Sequence, residues 1–487
     1  MKKIIYLITV LLIAGSCDDY LDVNTDPNNP TEVSPELILP VGQNYTARWM
    51  LTDRSVSHLG NMMMYNWSEA AGFSWYNDEF QYIANSPTFY DNIFNIAYTD
   101  AMKQYEELRN LGDDFLAYKA IATIMQCYTY QILVDLYGDI PFQEALQRGG
   151  NATPAYDAAE SVYDSLVVRL TNSIADLTVV EGIATASVPT TDDIIYGGDL
   201  DSWKKLANTI KLRLLTRASD VKSSTYITEQ IAIIDAEGSG YITEDFTVNP
   251  GYLNEADKQS PLFEDFGADE TGAPTLSGDA TCATDFILQL LDDTNDPRIS
   301  RLYEEPATGH LGVPQGVTVA VEQFGADLVS NIGPGLLDGS TQDALLMSVA
   351  EVQFNLAELA LKGLVSGDPE TFYEAGVTAS FVTLGLPAAD ASTYLGQSIN
   401  NVSYGASSDK LEAIITQKWL ASNGICAEQS WFDWVRTGFP LNLPVSVETP
   451  NLVRPVRLSY PASELGTNSN NVPDQPDVYT TPTFWAN

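Results

Sequence analysis

Basic residues and histidines are scarce in this chain of 487 residues. It contains 24 lysines and arginines against 65 aspartates and glutamates, which gives a formal net charge of −41 at pH 7. Nucleic acid and anionic lipid surfaces repel so acidic a protein, so no nucleic-acid partner is expected. The two histidines, His58 and His310, stand far apart, and neither HExxH nor GxSxG occurs. The sequence therefore lacks the motifs that usually supply the catalytic residues of zinc-dependent hydrolases and Ser–His hydrolases.

Cysteines are also few, and their spacing does not suit a metal site. Cys17, Cys127, Cys282 and Cys426 are far apart, whereas zinc ligands usually come in closely spaced pairs. We therefore expect no metal and no cofactor. For the last three cysteines we predict buried free thiols, with one disulfide among them as the alternative.

The one long apolar run stands at the N-terminus. After Met-Lys-Lys, the segment Ile4–Ala14 is mainly apolar but shorter than the ~20 residues that a membrane-spanning helix needs. The run ends in Ala-Gly-Ser before Cys17. A basic start, a short apolar segment and small residues before a cysteine are typical of a lipoprotein signal peptide. We predict that residues 1–16 are removed and that Cys17 becomes an acylated N-terminal residue, carrying diacylglycerol and palmitate-type acyl chains.

The next segment, residues 17–34, is rich in Asp, Asn, Pro and Thr. Such a composition buries little apolar surface, so we predict a lipidated, flexible tether. Asp18 and Asp19 allow two interpretations. Under the enterobacterial sorting rule, an aspartate beside the lipidated cysteine retains a lipoprotein at the inner membrane. In Bacteroidetes-type bacteria, acidic residues at this position resemble a surface-export signal.

Helical periodicity dominates the remainder, which we predict to be a single domain over residues 35–487. Asp157, Asp201 and Asp368 each precede an amphipathic segment and are the predicted N-caps of three helices. The predicted helices span residues 35–52, 88–110, 114–136, 157–177, 202–218, 226–236, 284–292, 342–362, 368–382 and 408–422.

Several predicted helices form consecutive pairs with short connections, namely 88–110 with 114–136, 157–177 with 202–218, and 342–362 with 368–382. Paired amphipathic helices indicate a tetratricopeptide-like scaffold. Long polar stretches separate the pairs, and loops of this length usually carry function or short strands. The predicted fold class is mainly α: a tetratricopeptide-like helical-pair scaffold with long irregular loops and a few short strands. The long stretches span residues 179–200, 237–283, 303–341, 385–407 and 438–487.

A few cations and tryptophans on helix faces are expected inside the protein. Scarce arginines among many acids pair readily with internal carboxylates, so we expect Arg213, Arg217 and Arg436 to contact groups such as Glu351 or Glu358. The tryptophans that lie among apolar neighbours are predicted to be core: Trp203, Trp419, Trp431 and Trp434.

The block DLYGDIPFQEA at residues 135–145 resembles the SusD/RagB family of nutrient-binding outer-membrane lipoproteins, in the branch with DLYGDIPY. Phe142 stands where tyrosine is common, a minor departure. Behind the lipoprotein signal, further family blocks follow in order and span most of the mature chain. They are TPAYD (153–157), IYGGD (195–199), WKKLAN (203–208), DPR (296–298), AEV (350–352), QKW (417–419), EQSWFDWVRTG (428–438) and RLSYP (457–461).

The resemblance implies a lipid-anchored protein at the cell surface, attached to the outer membrane through its anchor only. Such proteins bind oligosaccharides, or oligopeptides in some branches, and deliver them to a partner SusC-like TonB-dependent transporter. It implies an α-helical fold with tetratricopeptide-like pairs and no enzymatic activity. It also favours the surface-export interpretation of Asp18 and Asp19. Most residues of the matching blocks are expected to be scaffold.

Sugar rings dock on aromatic side chains flanked by polar hydrogen-bonding groups. The stretch from Gly72 to Tyr82 alternates glycine and polar residues with aromatics and lacks sustained helical spacing. We predict Trp75, Tyr76 and Asn77 as platform and polar contact, although Trp75 anchoring its own loop is an alternative. Two further candidates come from later loops: Tyr252 and Phe324.

Three alternatives stay open on the sequence. An oligopeptide ligand is compatible with long acidic loops. A secreted glycoside hydrolase needs only two carboxylates, and 65 acids supply such a pair in any fold, so the composition does not discriminate. A surface interaction protein without a transporter is the third.

Overall fold

The computed structural model describes residues 33–449 and 452–486. The predicted signal peptide, Cys17 and the Asp18-Asp19 pair lie outside the described residues. Among the described residues, no helix combines the length and the apolar character that crossing a membrane requires.

The first half of the chain is mainly helical. Its helices are α1 (Pro35–Leu51), α2 (Val56–Met63), α3 (Asn77–Phe80), α4 (Asp91–Ile96), α5 (Met102–Arg109), α6 (Leu116–Tyr137), α7 (Ala159–Glu181), α8 (Leu200–Arg217) and α9 (Ser224–Glu237). A π-helical turn (Ala97–Ala101) joins α4 to α5, so the predicted 88–110 helix is continuous in direction but irregular in the middle.

The second half contains more short helices separated by loops. They are α10 (Pro261–Phe266), α11 (Leu276–Ala280), α12 (Asp285–Asp293), α13 (Ile299–Leu302), α14 (Val321–Phe324), α15 (Val349–Leu361), α16 (Pro369–Thr383), α17 (Ala388–Leu395), α18 (Lys410–Ser422), α19 (Ala427–Thr437) and α20 (Ala462–Thr467).

The strands in the described residues are short and pair antiparallel, two by two. β1 (Trp67–Glu69) pairs with β5 (Thr281–Ala283), β2 (Ile140–Pro141) with β3 (Tyr156–Asp157), and β4 (Phe246–Val248) with β6 (Ala344–Met347). Consecutive helices pack against one another as predicted: α5 with α6, α7 with α8, and α15 with α16. The predicted fold class, helical pairs with long loops and few strands, is confirmed.

The predicted helix 342–362 is wrong in its first turn. Residues 344–347 form β6, and α15 begins only at Val349, after Ser348, whose hydroxyl caps it. The apolar residues at the start of this segment pair with β4, which lies about a hundred positions earlier in the chain. A partner so distant in sequence leaves no signal in a local helical pattern.

The predicted N-cap of α7 is also wrong. The carboxylate of Asp157 accepts hydrogen bonds from the backbone N–H groups of Phe142 and Gln143, at 3.1 and 2.9 Å. The N–H of Ala159, at the start of α7, instead donates to Asp139 at 2.8 Å. The carboxylate that accepts a hydrogen bond from the first N–H group of α7 therefore belongs to a turn about twenty residues earlier, after α6.

For α8 the cap is displaced by two residues. Asp199, not Asp201, is the N-cap, and its carboxylate accepts a hydrogen bond from the Asp201 N–H at 3.1 Å. The third predicted cap is confirmed, because Asp368 accepts from the Glu370 N–H at the start of α16.

The block at residues 135–145 is scaffold, as expected. Gly138 ends α6 with φ 76°, and a Cβ there would stand 2.9 Å from the guanidinium nitrogens of Arg457. Arg457 donates a hydrogen bond to the Tyr137 carbonyl across this gap. Glycine is therefore required both by the left-handed backbone and by the close approach.

Helix α6 runs through the interior, and all but three of its 22 residues are buried. Its polar side chains have partners: Gln126 donates to the Met102 carbonyl and accepts from Arg109, and Asp135 accepts from the Trp485 indole N–H at 2.7 Å.

The three described cysteines are buried free thiols, as predicted. Of the predicted core tryptophans, Trp434 is half-buried and three are buried: Trp203, Trp419 and Trp431.

Buried ion pairs join helices that are distant in sequence. Arg213 on α8 forms a bidentate pair with Glu351 on α15, with both N–O distances 2.6 Å and both side chains 1% exposed. Arg436 on α19 binds Glu358 in the same two-pronged manner, at 2.5 and 2.8 Å. Although burial opposes ionisation, the Arg436 guanidinium lowers the pKa of Glu358 to about 2.

The expected arginine pairings are therefore confirmed for Arg213 and Arg436. Arg217 differs, because its guanidinium donates to the Gln429 side chain at 2.6 Å and reaches a carboxylate, Asp135, only at 3.9 Å. Lys418 adds a further buried pair, with Asp433 at 2.8 Å.

We expect Arg213→Met to lower the free energy of unfolding by about 3–5 kcal/mol, because Glu351 then stays buried without its cation. Urea unfolding followed by tryptophan fluorescence measures the loss. The matched control is Lys258→Met, which breaks an exposed pair with Glu255 and is expected to cost less than about 1 kcal/mol. Equal losses in the two variants would contradict this account.

Candidate ligand-binding site

A surface groove follows β1, in the part of the chain where the sequence places its aromatic platform. Two segments far apart in sequence form its walls, residues 68–74 and residues 313–319, and Asn77, Phe80 and Glu448 complete it. The groove has a volume of about 310 Å³, within the usual range for small-ligand sites.

Backbone hydrogen bonds hold the first wall in place. The N–H of Ala70 donates to the Ala280 carbonyl, and the N–H of Ala71 donates to the Phe324 carbonyl, both at 2.8 Å. Gly72 then adopts φ 100°, a backbone conformation that favours glycine, and the chain turns toward Trp75. The sheet of β1 with β5 and the short helix α14 thus position the aromatic stretch.

Trp75 is the exposed aromatic of this stretch. Its side chain is 37% exposed, and its ring meets Phe73 edge-on at a centroid distance of 5.3 Å. Its backbone is held on both sides: the N–H donates to Glu69 at 2.5 Å, and the carbonyl accepts from Arg54 at 2.8 Å. A ring on a fixed backbone loses little conformational freedom when a ligand stacks on it.

Tyr76 does not share this position. It is fully buried, and its hydroxyl is 2.8 Å from the Thr281 hydroxyl on β5. The chain bends at Trp75, and Tyr76 is the N-cap of α3, so the two neighbouring side chains lie in different surroundings. We therefore correct the prediction for Tyr76: it anchors the segment and is not available as a ligand platform.

Asn77 is exposed and lines the groove. Its side-chain nitrogen donates to the Ser74 carbonyl at 3.2 Å, and its amide oxygen accepts no hydrogen bond from the described residues. The oxygen is therefore available as an acceptor beside Trp75.

The two candidates from later loops lie in different surroundings. Tyr252 is buried, and its hydroxyl donates to the Asn44 side chain on α1 at 3.1 Å, so it does not line the groove. Phe324 is half-buried in a small apolar cluster with Ala70 and Val313, directly behind the groove wall. The structure thus brings Trp75, Asn77 and Phe324 together and leaves Tyr252 apart.

Glu69 serves the backbone of the site, and sequence reasoning missed it. Its Oε1 accepts from the N–H groups of both Trp75 and Tyr76, and burial raises its pKa. The local sequence pattern gives no signal for this role. Glu69 reaches the N–H groups of Trp75 and Tyr76 only because the chain turns at Gly72.

A buried polar chain lies beneath the platform. Tyr90 donates to Glu79 at 3.0 Å, and its hydroxyl is 2.5 Å from Nδ1 of His58. Burial raises the pKa of Glu79 to about 7 and lowers the pKa of His58 to about 4. A neutral, enclosed histidine is not poised to exchange protons with a ligand in the groove.

In chemical terms the groove offers the rings of Phe73 and Phe80, the amide acceptor of Asn77 and the carboxylates of Glu69 and Glu448. The exposed indole of Trp75 does not line the groove itself but lies next to it, in contact with Phe73. Since Glu69 already accepts two backbone hydrogen bonds, its carboxylate supports the structure of the loop. The arrangement suits the recognition of a ligand with apolar faces edged by hydroxyl groups.

A family model matches residues 27–461 of this chain; it is the SusD-like model, described as "Starch-binding associating with outer membrane". No curated protein sequence matches significantly. The fold is similar to that of many solved structures.

Three of these structures illustrate the similarity. A chitin-binding SusD homologue from Flavobacterium johnsoniae has 22% identity and a TM-score of 0.72, covering 93% of this chain and 98% of its own. A SusD homologue from Bacteroides uniformis has 23% identity and a TM-score of 0.73, with coverages of 92% and 99%. A SusD-like protein from Bacteroides thetaiotaomicron has 22% identity and a TM-score of 0.73, with coverages of 93% and 99%.

We expect Glu69→Ala to speed amide hydrogen exchange at Trp75 and Tyr76 by about tenfold or more, because each N–H loses a charged acceptor worth about 1.5–3 kcal/mol. Hydrogen exchange with mass spectrometry, on peptides covering residues 70–80, measures the change. Glu69→Gln keeps an oxygen acceptor and should show a smaller effect. The same exchange rate in both variants and the parent protein would show that Glu69 does not hold this segment.

Proposed function

This chain belongs to the SusD-like family, and from that membership we propose that it binds oligosaccharide at the cell surface and delivers it to a SusC-like TonB-dependent transporter. The proposal covers residues 35–487 as one nutrient-binding domain. The family description, starch-binding and associated with the outer membrane, supports the ligand class and the location. The chitin-binding relative supports a glycan ligand as well.

One observation carries the assignment of the site: Trp75 is exposed beside a groove while both sides of its backbone are held by Glu69 and Arg54. Aromatic rings stack on the apolar faces of sugars, and neighbouring polar groups bond the hydroxyls. We propose Trp75 as the platform and Asn77 as a polar contact, with Phe324 supporting the groove wall.

We expect Trp75→Ala to weaken glycan binding by about tenfold or more, since it removes the stacking surface. Titration calorimetry with chitohexaose and maltoheptaose measures the affinity. Tyr45→Ala is the matched control, because Tyr45 on α1 has the same 37% exposure and no residue of α1 lines the groove, whereas Trp75 directly follows the lining residue Ser74. Unchanged affinity in Trp75→Ala, with the parent protein binding one of the glycans, would exclude this platform.

The same titrations separate the ligand classes. If neither glycan binds, oligopeptides are the next panel, because peptide ligands are the alternative that the resemblance leaves open. We propose binding without catalysis, supported by the structural use of Glu69 in the groove. An assay for new reducing ends tests this directly, and glycan turnover would refute it.

We propose that Cys17 carries the lipid anchor and that residues 1–16 are removed. The residue lies outside the described structure, and the support is the sequence pattern together with the family's association with the outer membrane. Asp18 and Asp19 then serve as the surface-export signal.

We expect Cys17→Ser to abolish labelling with an alkyne analogue of palmitate and to move the protein from the membrane to the soluble fraction, since the acylated thiol is lost. Cys127→Ser is the control, because that thiol is buried in the folded protein. Membrane retention of Cys17→Ser would show that another element attaches the chain.

The transporter partner is tested separately. We expect the chain to co-purify with a SusC-like TonB-dependent barrel from the same organism when the two are expressed together. Absence of a complex would favour a surface protein that acts without a transporter.

A further inference from the structure

A second cleft lies between α7, α8 and α9, formed by residues that do not line the groove near Trp75. Its volume is about 340 Å³, and Ile174, Ala175 and Ile233 give it largely apolar walls. Lys211 and Glu237 are the charged residues that line it. A cleft of this size with a mainly apolar surface and some polar groups at fixed positions is the usual form of a small-molecule site.

Lys211 is a buried cation without a carboxylate partner. Its side chain is 1% exposed, and Nζ donates to the Thr171 hydroxyl at 3.0 Å. No carboxylate of the described residues lies within 4.0 Å of Nζ. An ammonium group has three donors, so two of them find no acceptor among these residues.

Four other buried cations of this chain differ from Lys211, whereas Arg217 reaches a carboxylate only at 3.9 Å and Arg454 and Arg457 donate to backbone carbonyls. Arg213, Arg298, Lys418 and Arg436 each contact a carboxylate at 3.2 Å or less. An isolated charge in a low-dielectric interior is unfavourable unless an anion compensates it. Among the described residues, no acidic side chain forms an ion pair with Lys211, and Glu237, the carboxylate that shares the cleft, bonds other groups.

We propose that this cleft binds a small monocarboxylate with an apolar stem, the carboxylate pairing with Lys211 and the stem packing against Ile174 and Ile233. The ligand supplies the anion that the chain does not, and its stem covers apolar walls that water solvates poorly. The polar groups of the walls, on Thr171, Thr178, Asn208 and Glu237, are already hydrogen-bonded within the protein, so a sugar fits poorly, and Lys211 disfavours a cation.

Glu237 does not take the role of the missing anion. Its Oε2 accepts from the Asn208 side chain at 2.9 Å and from the Ser239 N–H at 3.0 Å, and its Oε1 accepts from the Ser239 hydroxyl at 2.6 Å. Both oxygens are therefore directed to other donors.

The binding is expected to depend on pH. Burial lowers the pKa of Lys211 to about 8, so the free protein loses this charge as the pH rises through that value. Glu237 is the other charged group that faces the cleft. Although burial opposes its ionisation, hydrogen bonds from Ser239 and Asn208 lower its pKa, so its charge stays constant over the same range.

The test is titration calorimetry of the protein with octanoate and with octanol, in 0.15 M salt so that the negative surface is screened. We expect octanoate to bind with millimolar affinity or better. Lys211→Met should weaken octanoate about tenfold or more while leaving octanol unchanged, because only the carboxylate uses the ammonium. Raising the pH from 6.5 to 9.5 should weaken octanoate to a similar degree.

A second variant keeps the test decisive if Lys211→Met fails to fold. Ala175 is exposed at the cleft, so Ala175→Phe is expected to fill the space and abolish binding of both compounds. Val168→Phe, at an exposed position of the same helix outside the cleft, is its control. No octanoate binding at 10 mM, or equal binding by Lys211→Met and the parent protein, would overturn the proposal. Neither outcome affects the glycan titrations, which concern the groove near Trp75.

Discussion

Paired charges in the interior hold the helices of this protein together. The bidentate contact of Arg213 with Glu351 joins α8 to α15, and that of Arg436 with Glu358 joins α15 to α19. Such pairs are sensitive to geometry, because the Coulomb gain offsets desolvation only when both hydrogen bonds of each pair form. The bidentate pairs therefore fix the positions of these helices relative to one another. The loops that leave the helices then begin and end at fixed positions. Because several of the scarce cations are used inside, the surface is left strongly acidic.

The candidate groove is held by contacts between segments that are distant in sequence. Its two walls come from positions about 240 residues apart, and they meet because β1 pairs with β5 and the loop after β1 packs on α14. Within the wall, Glu69 and Arg54 hold the backbone of a single exposed indole from both sides. The affinity of a stacked ligand then depends on the ring itself and little on ordering the loop.

Much of the fold is predictable from the sequence, because helical periodicity and the Asp368 cap are local properties. The failures share a physical cause. Asp157 bonds residues of a preceding turn, α7 takes its cap from Asp139, and residues 344–347 pair with a strand far away. The candidate site divides in the same way: composition indicates the aromatic stretch, but whether Trp75 or Tyr76 faces solvent depends on the contact of Tyr76 with Thr281. Lys211 carries no sequence signal, since its isolation depends on three helices.

The composition of helix α6 also affects how this segment of the unfolded chain behaves at a membrane. A segment of 22 residues that is buried almost all round is long enough to cross a bilayer of about 30 Å. It contains Gln126, Gln131 and Asp135, which the folded protein satisfies with Arg109, Arg213 and the Trp485 indole. In the unfolded chain these partners are absent, and each polar group raises the free energy of insertion into hydrocarbon. If the chain is exported unfolded, as the proposed signal peptide implies, the side chains that complete the core also favour passage of this segment through a translocation channel over lateral escape into lipid.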